Sequence, residues 1–183
     1  MSYFPAIKKW IIPESAIIES FKEMARDGKS GNEGITLWLG KRSKEHAQVT
    51  HLVALRGPGI VKKPAVLIIE PDLFNSVTDI TIAYNVALIG QIHSHGPWHG
   101  TDLSVTDIRY GLSVPFYLSI VAPDYALKTE CDLSSCGVHI FDPGTGYRRL
   151  SPMEAQDRIQ IIKGNKTPFL IIGEDDNAKR FGF

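Results

Sequence analysis

Two histidines and an aspartate in this sequence have the spacing of a three-ligand metal site. His93 and His95 follow the segment 85–92, which ends in an apolar run typical of a buried strand, and alternate residues of a strand point to the same face. Further along, Ser104 and Asp107 have the spacing of a helix start, with the serine as N-cap and the aspartate in the first turn. A helix that begins close to the strand end would bring this carboxylate within reach of both imidazoles.

Two neutral imidazoles and one carboxylate are ligands that suit zinc. Structural zinc sites are closed by four protein ligands, whereas catalytic sites have three and leave one position for water or substrate. The sequence therefore predicts a zinc-dependent hydrolase with one zinc ion per chain. Each pattern taken alone also has an ordinary explanation, since His-x-His occurs by chance and Ser-x-x-Asp is a common helix cap.

A third element favours the metal site over those ordinary explanations. Glu33 precedes the strand-like apolar segment 34–40, and its carboxylate has no obvious local partner. Together with the histidine pair and the Ser104-x-x-Asp107 motif, this segment makes the chain resemble the JAMM/MPN (JAB) family of metalloproteases. The resemblance runs from about Glu33 to Asp142, which is most of the chain.

The family resemblance implies a chemical role for each of these residues. It implies that three residues bind zinc, namely His93, His95 and Asp107. It also implies that Glu33 acts as general base and then as general acid, and that Ser104 stabilises the oxyanion. These roles are chemically consistent, because zinc lowers the pKa of a bound water to ~7 and a carboxylate can then accept its proton.

One glycine departs from the spacing of the family. The second histidine is normally followed directly by proline, whereas here Gly96 lies between His95 and Pro97. This insertion leaves two acidic residues as candidates for the third zinc ligand, Asp102 and Asp107. We favour Asp107, because only this residue has a serine three positions before it.

The resemblance implies an α/β fold, with a mixed central sheet flanked by helices in a cytidine-deaminase-like arrangement. We expect residues 1–183 to form a single JAB/MPN domain, with 173–183 as a polar and flexible tail. Hydrophobic spacing predicts helix 13–28, strands 35–39, 49–55 and 65–69, helix 71–87, strands 116–122 and 137–141, helix 151–163 and strand 168–172. The three strands after the first helix are expected to form a meander, with 56–63 as a loop.

Composition excludes several other classes of protein. The chain has 183 residues, 43% of them hydrophobic, and zero net charge, so its core can bury ~70% of the unfolded surface. Its basic pairs are short and scattered, which predicts no nucleic-acid partner. We find no signal peptide and no membrane span, so a cytoplasmic location is expected, with Cys131 and Cys136 as free thiols.

The loop after the histidine pair contains two further candidates, both for substrate binding. Trp98 offers a large apolar surface next to the metal ligands. His99 either contacts substrate or faces solvent. A third histidine, His139, lies in the middle of a predicted strand and is expected to be structural.

The resemblance also implies a substrate class, namely the amide bond after the C-terminal tail of a ubiquitin-like protein. That bond is either an isopeptide bond to lysine or a peptide bond in a precursor. Expected partners are the ubiquitin-like protein, its conjugates, and the activating and conjugating enzymes of the same pathway. By analogy, the compact chain is similar to bacterial deubiquitinase-like members, including those of antiphage conjugation systems.

Two alternative functions stay open at this point. The first is a metal-free MPN scaffold that serves as an interaction module, which zinc content would distinguish. The second is hydrolysis of a sulfur-carrier protein or of a small amide substrate, which a comparison of peptides with folded conjugates would distinguish.

Overall fold

A computed structural model describes residues 6–128, 132–164 and 166–173. All of the predicted 173–183 tail except Gly173 lies outside these ranges, as does Cys131. The elements in chain order are β1 (Lys9–Pro13), α1 (Glu14–Gly28), β2 (Ile35–Arg42), β3 (His46–Leu55), β4 (Ile60–Lys63), β5 (Val66–Ile69), α2 (Pro71–Ala83), β6 (Ala87–Ser94), α3 (Val105–Tyr110), β7 (Leu118–Ala122), β8 (Gly137–Asp142), β9 (Gly146–Arg149), α4 (Pro152–Arg158), β10 (Ile159–Ile162) and β11 (Phe169–Ile172).

The main sheet contains nine of these strands in mixed orientation. Its order is β10-β1-β3-β2-β6-β7-β8-β9, and β11 pairs with the second half of β3. At the centre, β2 is antiparallel to both β3 and β6, while β6 is parallel to β7. The predicted mixed sheet with flanking helices is therefore confirmed. In the described part of the chain, no helix is long and apolar enough to cross a membrane.

Strand β2 is buried on both faces because α1 and α2 cover opposite sides of the sheet. Trp38 belongs to the core cluster that includes α1, and its indole N–H donates to Ser20 Oγ at 3.0 Å. Its neighbours Leu37 and Leu39 belong to the cluster that includes α2. Each such buried side chain contributes ~1.5–3 kcal/mol, so β2 is a firmly held base for Glu33, which lies two residues before the strand begins.

The sequence prediction that this strand stops just before Gly40 was wrong. β2 continues to Arg42, with a shift of register against β3 between Leu39 and Gly40. A Cβ atom at Gly40 would lie 1.9 Å from the Gln48 carbonyl oxygen. Glycine is required here by the close approach of two strands, and not because the strand ends.

The predicted meander was also wrong, because β4 and β5 form a separate hairpin. Residues 60–63, expected in a loop, pair with β5 and not with β3. The hairpin is tied to α1 by an ion pair between Lys62 Nζ and Asp27 Oδ2 at 2.7 Å. In addition, the Glu33 N–H donates to the Lys63 carbonyl at 3.1 Å. The hairpin is thereby held beside the start of β2.

The predicted helices 13–28 and 71–87 are confirmed as α1 and α2, although α2 ends at Ala83. The helix predicted to reach Lys163 ends earlier, at Arg158. The next four residues form β10, which pairs in parallel with β1. Three of those four are isoleucine, and β-branched side chains favour strands. Strand β1, which lies between β10 and β3, and the edge strand β9 were not predicted.

Candidate metal centre

The structure brings His93, His95 and Asp107 together in one cluster. The two Nε2 atoms are 3.2 Å apart. Asp107 places Oδ1 3.6 Å from Nε2 of His93 and Oδ2 3.2 Å from Nε2 of His95. Ligands at ~2.1 Å in tetrahedral geometry lie ~3.4 Å from one another, so these separations suit one metal ion. All potential ligand atoms lie within 4.8 Å, and this group could hold a metal ion.

The strand pair β2–β6 positions the histidines opposite Glu33. Ser94, the residue between the histidines, donates its N–H to the Gly34 carbonyl at 2.9 Å. In return, the Gly34 N–H donates to Ser94 Oγ at 3.0 Å. This pair of buried hydrogen bonds continues the antiparallel register to the end of β6, so that Glu33 faces His95.

The Glu33 carboxyl group is buried, with 6% of the residue exposed. The pKa of Glu33 is raised to about 7, because burial, the largest cause, and the charge of Asp107 together outweigh the lowering effect of His95. A carboxyl group with a pKa near neutrality can both accept and release a proton at physiological pH. Perturbed groups of this kind cluster at functional sites.

Asp107 is fixed by the helix cap that the sequence predicted. Ser104 Oγ accepts the Asp107 N–H at 3.1 Å, and the Ser104 N–H donates to Asp107 Oδ2 at 2.7 Å. Burial alone would raise the pKa of Asp107, but hydrogen bonds with His93, His95 and Ser104 hold it far below its usual range. The carboxylate is therefore ionised, as a metal ligand must be. The Ser104 oxygen acts as acceptor in the cap, which leaves its O–H proton available to a substrate.

The ring of His95 is oriented by the backbone of the following loop. Its Nδ1 lies 2.8 Å from the Gly100 carbonyl oxygen. When Nδ1–H donates to this carbonyl, the Nε2 lone pair is left for a metal, as is usual for metal-binding histidines. Burial would lower the pKa of His95, but hydrogen bonds with Asp107 and with the Gly100 carbonyl raise it.

The loop that contains Gly96 directs Asp102 away from the site. The Asp102 carboxylate is exposed and pairs with the Arg149 guanidinium. At Gly96, a Cβ atom would lie 2.6 Å from the Tyr125 hydroxyl, and the Tyr125 N–H donates to the His95 carbonyl at 2.7 Å. The extra glycine is thus accommodated against Tyr125, and Asp107, rather than Asp102, stands next to the histidines.

The two loop candidates for substrate binding are placed less favourably. Trp98 is 93% exposed. The ring of His99 is exposed and lies 6.3 Å from the ring of His95, centre to centre. Neither side chain lines the cavity beside the metal ligands. Their part in substrate binding therefore stays a prediction.

A cavity of about 780 Å³ opens beside His93 and Asp107. One wall is formed by β5 and the start of α2, and the opposite wall by α3 with the residues that follow it. Its lining is mainly apolar, with the polar groups of Gln91 and Ser119 near His93. Among the described residues that line it, Asp107 has the only carboxylate, and none is lysine or arginine.

Three residues that hold the centre together were not anticipated from the sequence, namely Gln91, Ser94 and Tyr125. The position of Gln91 could have been predicted, since it lies two residues before His93 and so on the same face of the strand. The position of Tyr125 could not have been predicted, because only the tertiary fold brings it next to His95. Its backbone has a φ of 54°, inside a run of three left-handed residues, 124–126.

Comparison with known proteins shows the fold alone. No family model matches the chain, and no curated protein matches it. The solution structure of protein DSY2949 from Desulfitobacterium hafniense, a target of the Northeast Structural Genomics Consortium, is similar with a TM-score of 0.61 and 15% identity. The match covers 85% of this chain and 94% of that chain, which supports the mixed α/β fold.

Cys136 lies directly before β8 and His139 lies within it, and both residues are buried. Burial raises the pKa of the Cys136 thiol to about 12, so it is a neutral free thiol, as expected. Burial lowers the pKa of His139 to about 4, assisted by Arg149 and His93 and opposed by the Ser119 backbone and Asp102. Both ring nitrogens of His139 lack a hydrogen-bond partner at normal distance.

We expect His139 to make the metal-free protein less stable in acid. Its folded pKa of about 4 is lower than the ordinary value of 6.5, so the unfolded chain binds the extra proton between these values. Stability is therefore lost as the pH falls below 6.5, by about 2 kcal/mol between pH 7 and pH 5. Urea unfolding in the presence of a chelator measures the free energy of unfolding at both pH values. Between pH 7 and pH 5, His139→Phe should lose about 2 kcal/mol less of this free energy than wild type. Equal losses in both proteins would contradict it.

Proposed function

We propose that this protein is a zinc-dependent peptidase of the JAMM type, which cleaves the amide bond after the C-terminal tail of a ubiquitin-like protein. The proposal rests on one observation, the convergence of His93, His95 and Asp107 within 4.8 Å beside the buried carboxyl group of Glu33. Three protein ligands leave one position for water or substrate, as in catalytic zinc sites. A complete ligand set is also unexpected in a metal-free scaffold.

Bound zinc would supply a Lewis acid for the scissile carbonyl and would lower the pKa of water to ~7. Glu33 accepts a proton from the attacking water and then donates it to the leaving amine. In the metal-free protein burial raises its pKa to about 7, which favours a group that both accepts and releases a proton. Ser104, through its O–H, donates to the oxygen that gains negative charge, and one such donor is worth ~3 kcal/mol in the transition state.

The cavity next to the ligands suits an extended chain. Among the described strands only β4 pairs with β5, so the second edge of β5 is free to pair with a peptide. The same strand, Val66–Ile69, lines the cavity together with His93 and Asp107. A tail bound along β5 would therefore present its last residues to the metal ligands, where small residues such as glycine fit best.

The lining of the cavity narrows the chemistry of that tail. Apolar side chains of the tail would be buried against Ile35, Leu67 and Phe74. Among the described residues that line the cavity, a basic side chain would find no carboxylate besides Asp107, which is engaged by the two histidines. We therefore expect a ubiquitin-like partner whose tail is apolar before its terminal glycines. We also propose that the protein works in a bacterial cytoplasm, with the activating and conjugating enzymes of this ubiquitin-like protein as further partners.

A panel of fluorogenic amides tests both the reaction and this specificity. Tail peptides that end in two glycines, with leucine or arginine at the preceding positions, are compared by kcat/KM. Leaving a charge or hydrogen-bonding group unpaired costs ~1–3 kcal/mol, so the apolar tails should be cleaved about 5–150-fold faster. Chelated enzyme should cleave none of them.

The panel distinguishes failure of the proposed tail specificity from failure of the proposed peptidase activity. Preference for the arginine tails would contradict the apolar specificity and leave the peptidase intact. Absence of cleavage by the zinc-loaded enzyme, with these amides and with folded isopeptide conjugates alike, would overturn the peptidase itself.

A further inference from the structure

The two histidines of the metal centre differ in the group that lies next to Nδ1. His95 has the Gly100 carbonyl oxygen at 2.8 Å from Nδ1. At His93, the polar side chain next to Nδ1 is the amide of Gln91, with its Nε2 at 3.5 Å. The two residues are on the same face of β6, because they are two positions apart in the strand.

When one ring nitrogen of a neutral histidine binds a metal, the other ring nitrogen carries the proton and needs a hydrogen-bond acceptor. The metal-facing atom of His93 is Nε2, at 3.6 Å from Asp107 Oδ1 and 3.2 Å from Nε2 of His95. When Nε2 binds a metal, Nδ1 must carry the proton of the neutral ring, and that N–H needs an acceptor. The Gln91 amide can supply one through its oxygen.

The neighbours of Gln91 accept either orientation of its amide. Its Oε1 lies 3.3 Å from the Tyr117 hydroxyl, and its Nε2 lies 3.3 Å from Ser119 Oγ. Hydroxyl groups both donate and accept, so a half-turn of the amide keeps both hydrogen bonds. In that orientation Nε2–H donates to Tyr117, and Oε1 accepts from Ser119 and from His93 Nδ1–H. Tyr117 is fully buried, so this support is rigid.

We propose that Gln91 is a positioning residue that fixes His93 as an Nε2 metal ligand, through a hydrogen bond from His93 Nδ1–H to the Gln91 amide oxygen. This inference rests on the proposed metal site. Closure of the 3.5 Å gap to a normal hydrogen bond requires a shift of only ~0.5 Å. Partners of this kind typically change metal affinity 10–100-fold when they are removed.

The test compares zinc affinity in two Gln91 variants, measured by competition with a chromophoric chelator. Gln91→Leu removes the acceptor and should weaken zinc binding about 10–100-fold. Gln91→Glu restores an acceptor and should bind zinc at least as tightly as wild type. A purely structural role predicts the opposite order, because glutamate would bring a charge into a partly buried position. Gln160→Leu makes the same change at an exposed position of β10 and should leave zinc affinity unchanged.

Nuclear magnetic resonance of the zinc-loaded wild type gives a second readout that needs no variant. We expect a protonated, hydrogen-bonded Nδ1 on His93, and binding of zinc through Nδ1 would overturn the inference. Equal zinc affinity of wild type and a folded Gln91→Leu variant would overturn it as well, and would leave the metal site standing. A wild-type protein that binds no zinc would overturn both.

Discussion

Glu33→Gln is expected to lower turnover by at least two orders of magnitude and to leave zinc bound. Glu33 lies beside the three potential ligands and is not one of them, so its loss removes proton transfer and not the metal. General acid–base catalysis contributes ~10²–10⁴-fold, and kcat should fall by about that factor. Turnover of the best tail substrate and zinc per chain, by elemental analysis, are measured on the same preparation.

The stability of this variant distinguishes lost chemistry from lost structure. Burial raises the pKa of Glu33, which means that the folded protein disfavours the charged carboxylate. The neutral amide should therefore leave the melting temperature unchanged or higher. Glu45→Gln, on the exposed partner of Lys8, is a matched control with full activity expected. Activity of Glu33→Gln within tenfold of wild type would overturn the general-base role.

Asp107→Ala is expected to remove zinc itself. Only two histidines would remain as ligands, and zinc affinity should fall by at least the ~100-fold that removal of an indirect partner can cause. The variant also loses the hydrogen bond between the Ser104 N–H and Asp107 Oδ2 and keeps the one to Ser104 Oγ, and one lost hydrogen bond costs ~1 kcal/mol of stability. Elemental analysis and chelator competition measure the metal, and urea unfolding measures the cap.

Asp102→Ala is the matched control for this experiment, because it removes the other aspartate of the same loop region. Asp102 is exposed and paired with Arg149, so zinc should stay at about one per chain. The reverse result, zinc lost with Asp102→Ala and kept with Asp107→Ala, would make Asp102 the ligand. Zinc absent from wild type, even after reconstitution, would favour the scaffold.

Local rules were enough to predict parts of the site that depend on one element. The side-by-side projection of His93 and His95 follows from the two-residue period of a strand. The cap that joins Ser104 to Asp107 depends only on residues three apart. Helices α1 and α2 follow from their apolar spacing, because each buries one face against the sheet.

Other sequence predictions failed where tertiary pairing outweighed local preference. The run 60–63 has too few residues to identify a strand, and it became β4 because β5 pairs with it. Residues 159–162 left the predicted helix because the edge of β1 was available to them. Strand pairing joins distant segments, and its free energy is not encoded in any short window.

The sequence by itself determined which side chains can act: a histidine pair on one strand face, a capped aspartate and an acidic residue at the start of an apolar strand. Only the tertiary structure decided which of them meet. The antiparallel register of β2 and β6 brings Glu33 opposite His95 across more than 60 residues of chain. The path of the loop, packed at Gly96 against Tyr125, selects Asp107 and turns Asp102 towards Arg149. Chemical identity is local in the chain, whereas distance between side chains is set by packing of the whole fold.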